Sequence, residues 1–183
     1  MGNAGRDAIA PEAYKRSPAL SNSTWYKGIL SSLMAGTADN NGAFDIIIIK
    51  MKRGTEPPPH VHSREDEFFY LLAGEMKVYV DRKVFHMTAG DCMFLPRLKP
   101  HAFRVTSAEM HNMVFIAPGG FQAAIDKMNA PAERMEVPND SDLATYANSD
   151  LSETIKLLQQ YGLRFLTTEE IRAEMPEYPV KWD

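Results

Sequence analysis

Between Trp25 and Pro118, short runs rich in β-branched, aromatic and aliphatic residues alternate with turn residues. The runs fall at residues 25–36, 43–52, 68–72, 76–80, 83–87, 91–95, 102–106 and 110–117. Residues 37–42 form a turn cluster, and Gly74, Asp81, Gly90, Pro96 and Pro100 punctuate the rest. Many short strands at this spacing predict an all-β sandwich or barrel. Some runs are apolar on both faces, as in Phe68-Phe69-Tyr70-Leu71-Leu72. One face then lines an interior, and the other is expected to be covered by N-terminal strands, helices or a second subunit.

After Pro118-Gly119-Gly120 the period changes to that of a helix. Phe121, Ala124, Ile125 and Met128 share a stripe over residues 121–128. Residues 130–149 read as a polar loop. Asp150-x-x-Glu153 predicts a capping box opening a helix that runs through Gln160 and stops at Gly162. Thr167-x-x-Glu170 opens a last short helix that ends before Pro176. The expected organisation is an N-terminal arm at 1–22, a β-barrel at 23–120 and a helical C-terminal extension at 121–183 packed on the barrel.

Composition narrows the function classes. The 183 residues suit one domain with a substantial core. With 20 Lys and Arg against 24 Asp and Glu, the net charge is −4, and basic residues never cluster beyond a pair. No nucleic-acid partner is expected, because phosphate contacts need concentrated positive charge. The longest aliphatic run, residues 46–49, is too short to span a membrane, so no membrane partner is expected either. A lone cysteine, Cys92, leaves no internal disulfide and fits a reducing compartment. With an N-terminus lacking a signal-like apolar core, that makes a cytoplasmic protein the expectation. Cys92 itself, in the run Cys92-Met93-Phe94-Leu95, reads as a buried core residue.

The candidate chemistry lies in residues 54–74, GTEPPPHVHSREDEFFYLLAG. His60 and His62 are two apart, so a strand points both to one side. Glu67 is an odd number of residues beyond His62, so a turn at residues 63–66 must intervene for it to rejoin that side. Glu65 and Asp66 become turn residues on this reading. His101 opens a later strand and shares a face with Phe103 and Val105. Three imidazoles and a carboxylate suit one divalent transition metal (Ni, Mn, Co, Fe, Cu or Zn), with positions left open to water or substrate. His86, beside Lys83 on a strand, is expected to be exposed, and His111 to be structural.

These residues carry a resemblance. Gly54, His60, His62, Glu67 and Gly74 match the first motif of the cupin family, and Gly90, Pro96 and His101 match the second. Leu98 stands where the second motif has a Gly, and Val105 where it has an Asn. Over residues 25–120 the chain resembles a cupin. The resemblance implies a jelly-roll barrel (a double-stranded β-helix), a metal held by His60, His62, Glu67 and His101, and a homodimer. The tail, Pro118-Gly119-Gly120-Phe121, then a helix and Ala130-Pro131-Ala132-Glu133, is similar to that of small single-domain bacterial quercetinases. That similarity implies a metal-dependent dioxygenase acting on a flavonol or another aromatic enol or diketone. Glu67 would then be ligand, proton acceptor or both. Phe69, Leu71, Phe103, Val105, Met51 and Phe115 would wall the small-molecule substrate pocket. A sugar isomerase or epimerase and a non-catalytic binding protein are the alternatives, and the Phe-rich inner faces favour an apolar substrate over a sugar. Retention of Glu67 argues against the three-histidine thiol dioxygenases of the family.

Overall fold

The structure, a computed structural model, describes residues 10–139 and 151–180. The alternating runs become strands β1 (Ser23–Tyr26), β2 (Ile29–Ala35), β3 (Asp45–Lys52), β4 (His60–His62), β5 (Asp66–Ala73) and β6 (Glu75–Val80). They continue as β7 (Lys83–Thr88), β8 (Cys92–Leu95), β9 (His101–Val105), β10 (Glu109–Ala117), β11 (Ala130–Pro131) and β12 (Leu163–Phe165). Helices are short: α1 (Thr37–Asn40), α2 (Gln122–Ile125), α3 (Leu151–Gln160) and α4 (Thr168–Glu174).

The strands form two sheets, ordered β11-β1-β2-β3-β10-β5-β8 and β12-β4-β9-β6-β7. Their inner faces meet in one core. Ile47, Met51, Phe69 and Val114 come from the seven-stranded sheet, and Val78 and Phe103 from the five-stranded one. This is the expected all-β jelly roll with a helical extension. A smaller cluster on the other side of the five-stranded sheet packs Ile171, Met175 and Tyr178 against Tyr79 and Ala102. It anchors the C-terminal segment.

Several local expectations are corrected. Residues 25–36 are a hairpin, because Lys27 and Gly28 both adopt positive φ (43° and 85°) and turn β1 into β2. The 37–42 cluster coils into α1. Among the described residues, neither the N-terminal strands nor the helices cover the outer face of β5. Glu67, Phe69 and Leu71 are buried, whereas Tyr70 and Leu72 are 38% and 44% exposed. Cys92 is exposed, not in the core; on edge strand β8 it is Leu95 that turns inward. Residues 130–131 leave the predicted loop to pair with β1, and β12 was not anticipated. The stripe at 121–128 yields only the four-residue α2, followed by turns. α3 ends where expected, while its predicted cap, Asp150, lies outside the described residues. α4 opens with the predicted box: Thr167 accepts from the Glu170 N–H, and Glu170 accepts from the Thr167 N–H at 2.8 Å.

The described part of the N-terminal arm leans on β2 and α1. The Tyr14 hydroxyl donates to the Met34 carbonyl, and Arg16 pairs with Asp39 at 2.8 Å. Among the described residues, no helix is long and apolar enough to cross a membrane.

Candidate metal centre

β4 carries His60 and His62 and pairs with β9 through a single residue pair, His60 with His101. Three imidazoles of the five-stranded sheet thereby meet at one end of the sandwich. Glu67 reaches them from β5 of the opposite sheet. One donor atom from each of the four residues lies within 4.8 Å of all the others, and all four residues are buried. Donors bound to one ion at about 2.1 Å sit roughly 3–4 Å apart, so a small inward movement completes a coordination shell.

The outer nitrogens are already engaged. His60 Nδ1 lies 2.8 Å from the Pro58 carbonyl, and His101 Nδ1 lies 3.0 Å from the Lys99 carbonyl. A carbonyl only accepts, so both Nδ1 atoms carry the proton and both Nε2 lone pairs face the centre. His62 Nδ1 meets the Glu65 carboxylate at 3.2 Å. Glu65 was expected to be a plain turn residue. Its position three after His62 folds it back under the imidazole, and it is only 5% exposed. Asp66 instead pairs with Arg97 at 2.7 Å on the outer side.

Electrostatics assign charges. Burial drives the His60 pKa down, and neighbouring His101 and His62 push it further, to about 3, so His60 is neutral over the physiological range. Burial opposes a charge on His62, but Glu67 and Glu65 outweigh it and raise its pKa. Burial likewise disfavours a Glu67 carboxylate. His62, His101 and His60 overcome that and hold it at about 2. Glu67 Oε2 lies 3.1 Å from His101 Nε2 and Oε1 lies 3.8 Å from His62 Nε2. An ionised carboxylate beside imidazoles oriented by their outer partners fits a divalent transition metal.

A cavity of about 140 Å³ opens beside the cluster, with His60, His62 and Glu67 in its wall. Met51, Phe69 and Phe103 are among its lining residues. Leu71 and Val105 are core residues outside the lining, and Phe115 lies on the outer face, stacked on Phe44 at 5.2 Å. Sequence reasoning missed Phe121, whose ring meets His62 edge-on at 4.9 Å, and the polar members Tyr26, Ser31 and Gln122. Asp45 fixes Phe121 in place: this fully buried carboxylate accepts from the Gly120 and Gln122 N–H groups on either side. Leu98 sits at φ 65°, where the resemblance expects Gly, and still donates its N–H to the His62 carbonyl at 2.7 Å. His86 is exposed, and His111 pairs with Glu109.

Comparison with known proteins agrees with this geometry. Residues 47–117 match the family described as a cupin domain. Quercetin 2,3-dioxygenase of Bacillus subtilis (strain 168) is 24% identical over 104 residues, which are 57% of this chain and 31% of that protein. The match therefore spans under a third of that relative's length. An RmlC-like cupin from Shewanella frigidimarina NCIMB 400 superposes with a TM-score of 0.50 at 21% identity, over 58% of this chain and 93% of its own. KdgF from Halomonas sp. gives a TM-score of 0.47 at 21% identity, over 52% and 84%. Residues 47–117 thus match a cupin domain, and the His₃Glu cluster could hold a metal ion.

Proposed function

We propose that His60, His62, Glu67 and His101 hold one divalent transition metal, and that the protein is a dioxygenase of quercetinase-like type acting on an aromatic enol or diketone. The observation that carries the reading is the union of this donor set with an almost wholly apolar cavity. Once bound, a divalent ion supplies Lewis acidity to an enolic oxygen. The chain's own residues do the rest. Phe121 and the strand faces exclude water, and Met51, Phe69 and Phe103 offer an apolar wall to the carbon skeleton. Glu67, ionised and turned into the cavity wall, faces the site where an enol proton must leave, and serves as ligand and hydrogen-bond acceptor. A sugar isomerase is the poorer fit, because a sugar needs many polar partners and this lining offers few.

The likeness to quercetin 2,3-dioxygenase supports the same reaction class. The test is elemental analysis of protein purified without a chelator or a His tag, followed by aerobic incubation with hydroxy-enones and diketones in an oxygen electrode. Metal near one equivalent with substrate-dependent oxygen uptake is expected. Absence of uptake with every metal and substrate defeats the dioxygenase assignment.

A further inference from the structure

One wall of the cavity comes from the C-terminal segment of the chain. Leu158 of α3 and Leu163 and Phe165 of β12 line it opposite β3. β12 is laid against the strand that bears two of the histidines, with Leu163 opposite His62 and Phe165 opposite His60. Leu163 and Phe165 are two apart and point inward, whereas Arg164 points out to Glu170 at 2.8 Å. The Phe165 ring stands edge-on to His60 at 6.4 Å.

This wall is fixed. The Ser63 N–H donates to the Gly162 carbonyl at 2.8 Å before β12, and the Leu166 N–H donates to the Pro59 carbonyl at 2.9 Å after it. Gly162 is held at φ 90° in close contact with Ser63 and Arg64, where a Cβ would stand 2.8 Å from Ser63 Oγ. Swinging the segment aside would break the ladder on β4 and disturb His60 and His62 themselves.

Volume then decides what enters. About 140 Å³ matches an apolar cavity of about 150 Å³ that takes up benzene. Pockets for drug-sized ligands run to about 300–1,000 Å³. We infer that the segment from α3 to β12 sets the size of the substrate: the site takes a chelating enol of one ring, or a short acyclic one, and excludes three-ring flavonols. The chelating end rests on the metal reading above; the size limit is a property of the wall alone.

The experiment separates the two. Metal-loaded protein under nitrogen is titrated with 3-hydroxy-4-pyranone and with 3-hydroxyflavone, which present the same hydroxy-ketone on one ring and on three. Binding is read from the ligand absorption band. The wild type binds the pyranone at least about tenfold more tightly, and Phe165→Ala and Leu158→Ala each raise flavonol affinity by about tenfold. In parallel, metal-free protein is melted with toluene or with flavone. Toluene raises the melting temperature of the wild type and flavone does so only in the variants. Equal affinity of the wild type for both chelators, or stabilisation of the metal-free wild type by flavone, overturns the size limit. Failure of both chelators with the toluene result intact overturns the metal reading and leaves the wall's role standing.

Discussion

Of the three imidazoles, two are oriented by backbone carbonyls and one by a carboxylate. Only the third can be altered by one conservative substitution without touching a ligand. Glu65→Gln keeps an oxygen near His62 Nδ1 and removes the charge that helps raise the His62 pKa. Losing such a partner costs about 10–100-fold in metal affinity, measurable by chelator competition; wild-type affinity in this variant removes Glu65 from the site. Because the His62 pKa is raised, this residue holds the proton that a metal must displace. Proton release on metal uptake is therefore full below that pKa and vanishes as pH climbs through it, and Glu65→Gln moves the decline to lower pH. Calorimetry in buffers of different ionisation enthalpy reads this directly. His62→Ala and His101→Ala should each lose most of the metal in elemental analysis. The four cluster residues were legible because residue type and strand parity agree. Glu65 was not, since a polar turn offers no period from which to tell which of its acids folds inward. Leu98 was legible as an anomaly. It is 67% exposed and sits in the left-handed region, which costs a non-glycine residue about 1–2 kcal/mol. Against that stands the greater chain entropy of glycine, about 0.5–1 kcal/mol. Leu98→Gly should therefore stabilise by at most about 1.5 kcal/mol, seen as an unchanged or slightly higher denaturation midpoint. A clear loss of stability would show that the exposed Leu side chain makes a contact of its own.

At the scale of elements, strands with clean alternation were legible and short pieces added to a sheet edge were not. β12 has three residues, and its Leu-Arg-Phe pattern signals nothing until β4 is beside it. β11, with two residues including Pro131, is fainter still. Capping chemistry is read more easily, because it depends on spacing within one segment. Thr167 and Glu170 close the box that starts α4, and Arg164 of β12 grips the same Glu170, tying the helix to the cavity wall. Arg164 and the Thr167 N–H hold the Glu170 pKa at about 2, below the usual carboxylate range. For a depressed carboxylate the unfolded chain takes up protons first. The contribution of Glu170 is thus fully present above about pH 4.5 and fades as pH falls toward about 2. The melting temperatures of the wild type and Glu170→Gln should differ at pH 6 and converge in acid. A gap that stays constant down to pH 2 would refute this account.

Across the whole molecule, the metal cluster is a cross-link: three donors belong to one sheet and Glu67 to the other. A bound ion then couples the sheets, and at 100 times its dissociation constant it adds about 2.7 kcal/mol. Chelation should lower the melting temperature reversibly, and His101→Ala should abolish the dependence. The outer face of the seven-stranded sheet raises a second matter. Ile46, Phe115, Phe68 and Phe94 stand in one row across β3, β10, β5 and β8, and Ile48, Met113, Tyr70 and Cys92 stand in the next. The doubly apolar runs of the sequence point to such a face, but residue pattern alone does not say which cover applies. Among the described residues, neither the N-terminal strands nor the helices shield Tyr70, Leu72 or Phe94, the last 57% exposed. An apolar surface this continuous is unusual on a monomer. We propose that a second copy of the chain covers it, sheet face against sheet face, in a two-fold dimer whose rows meet their own counterparts. Phe94 faces away from the cavity, so Phe94→Glu should break the dimer while leaving metal content unchanged. Sedimentation equilibrium decides the matter. A dimer in the wild type and a monomer in the variant fit the interface, whereas a monomeric wild type, or a dimer indifferent to Phe94→Glu, would place the apolar face outside any self-association.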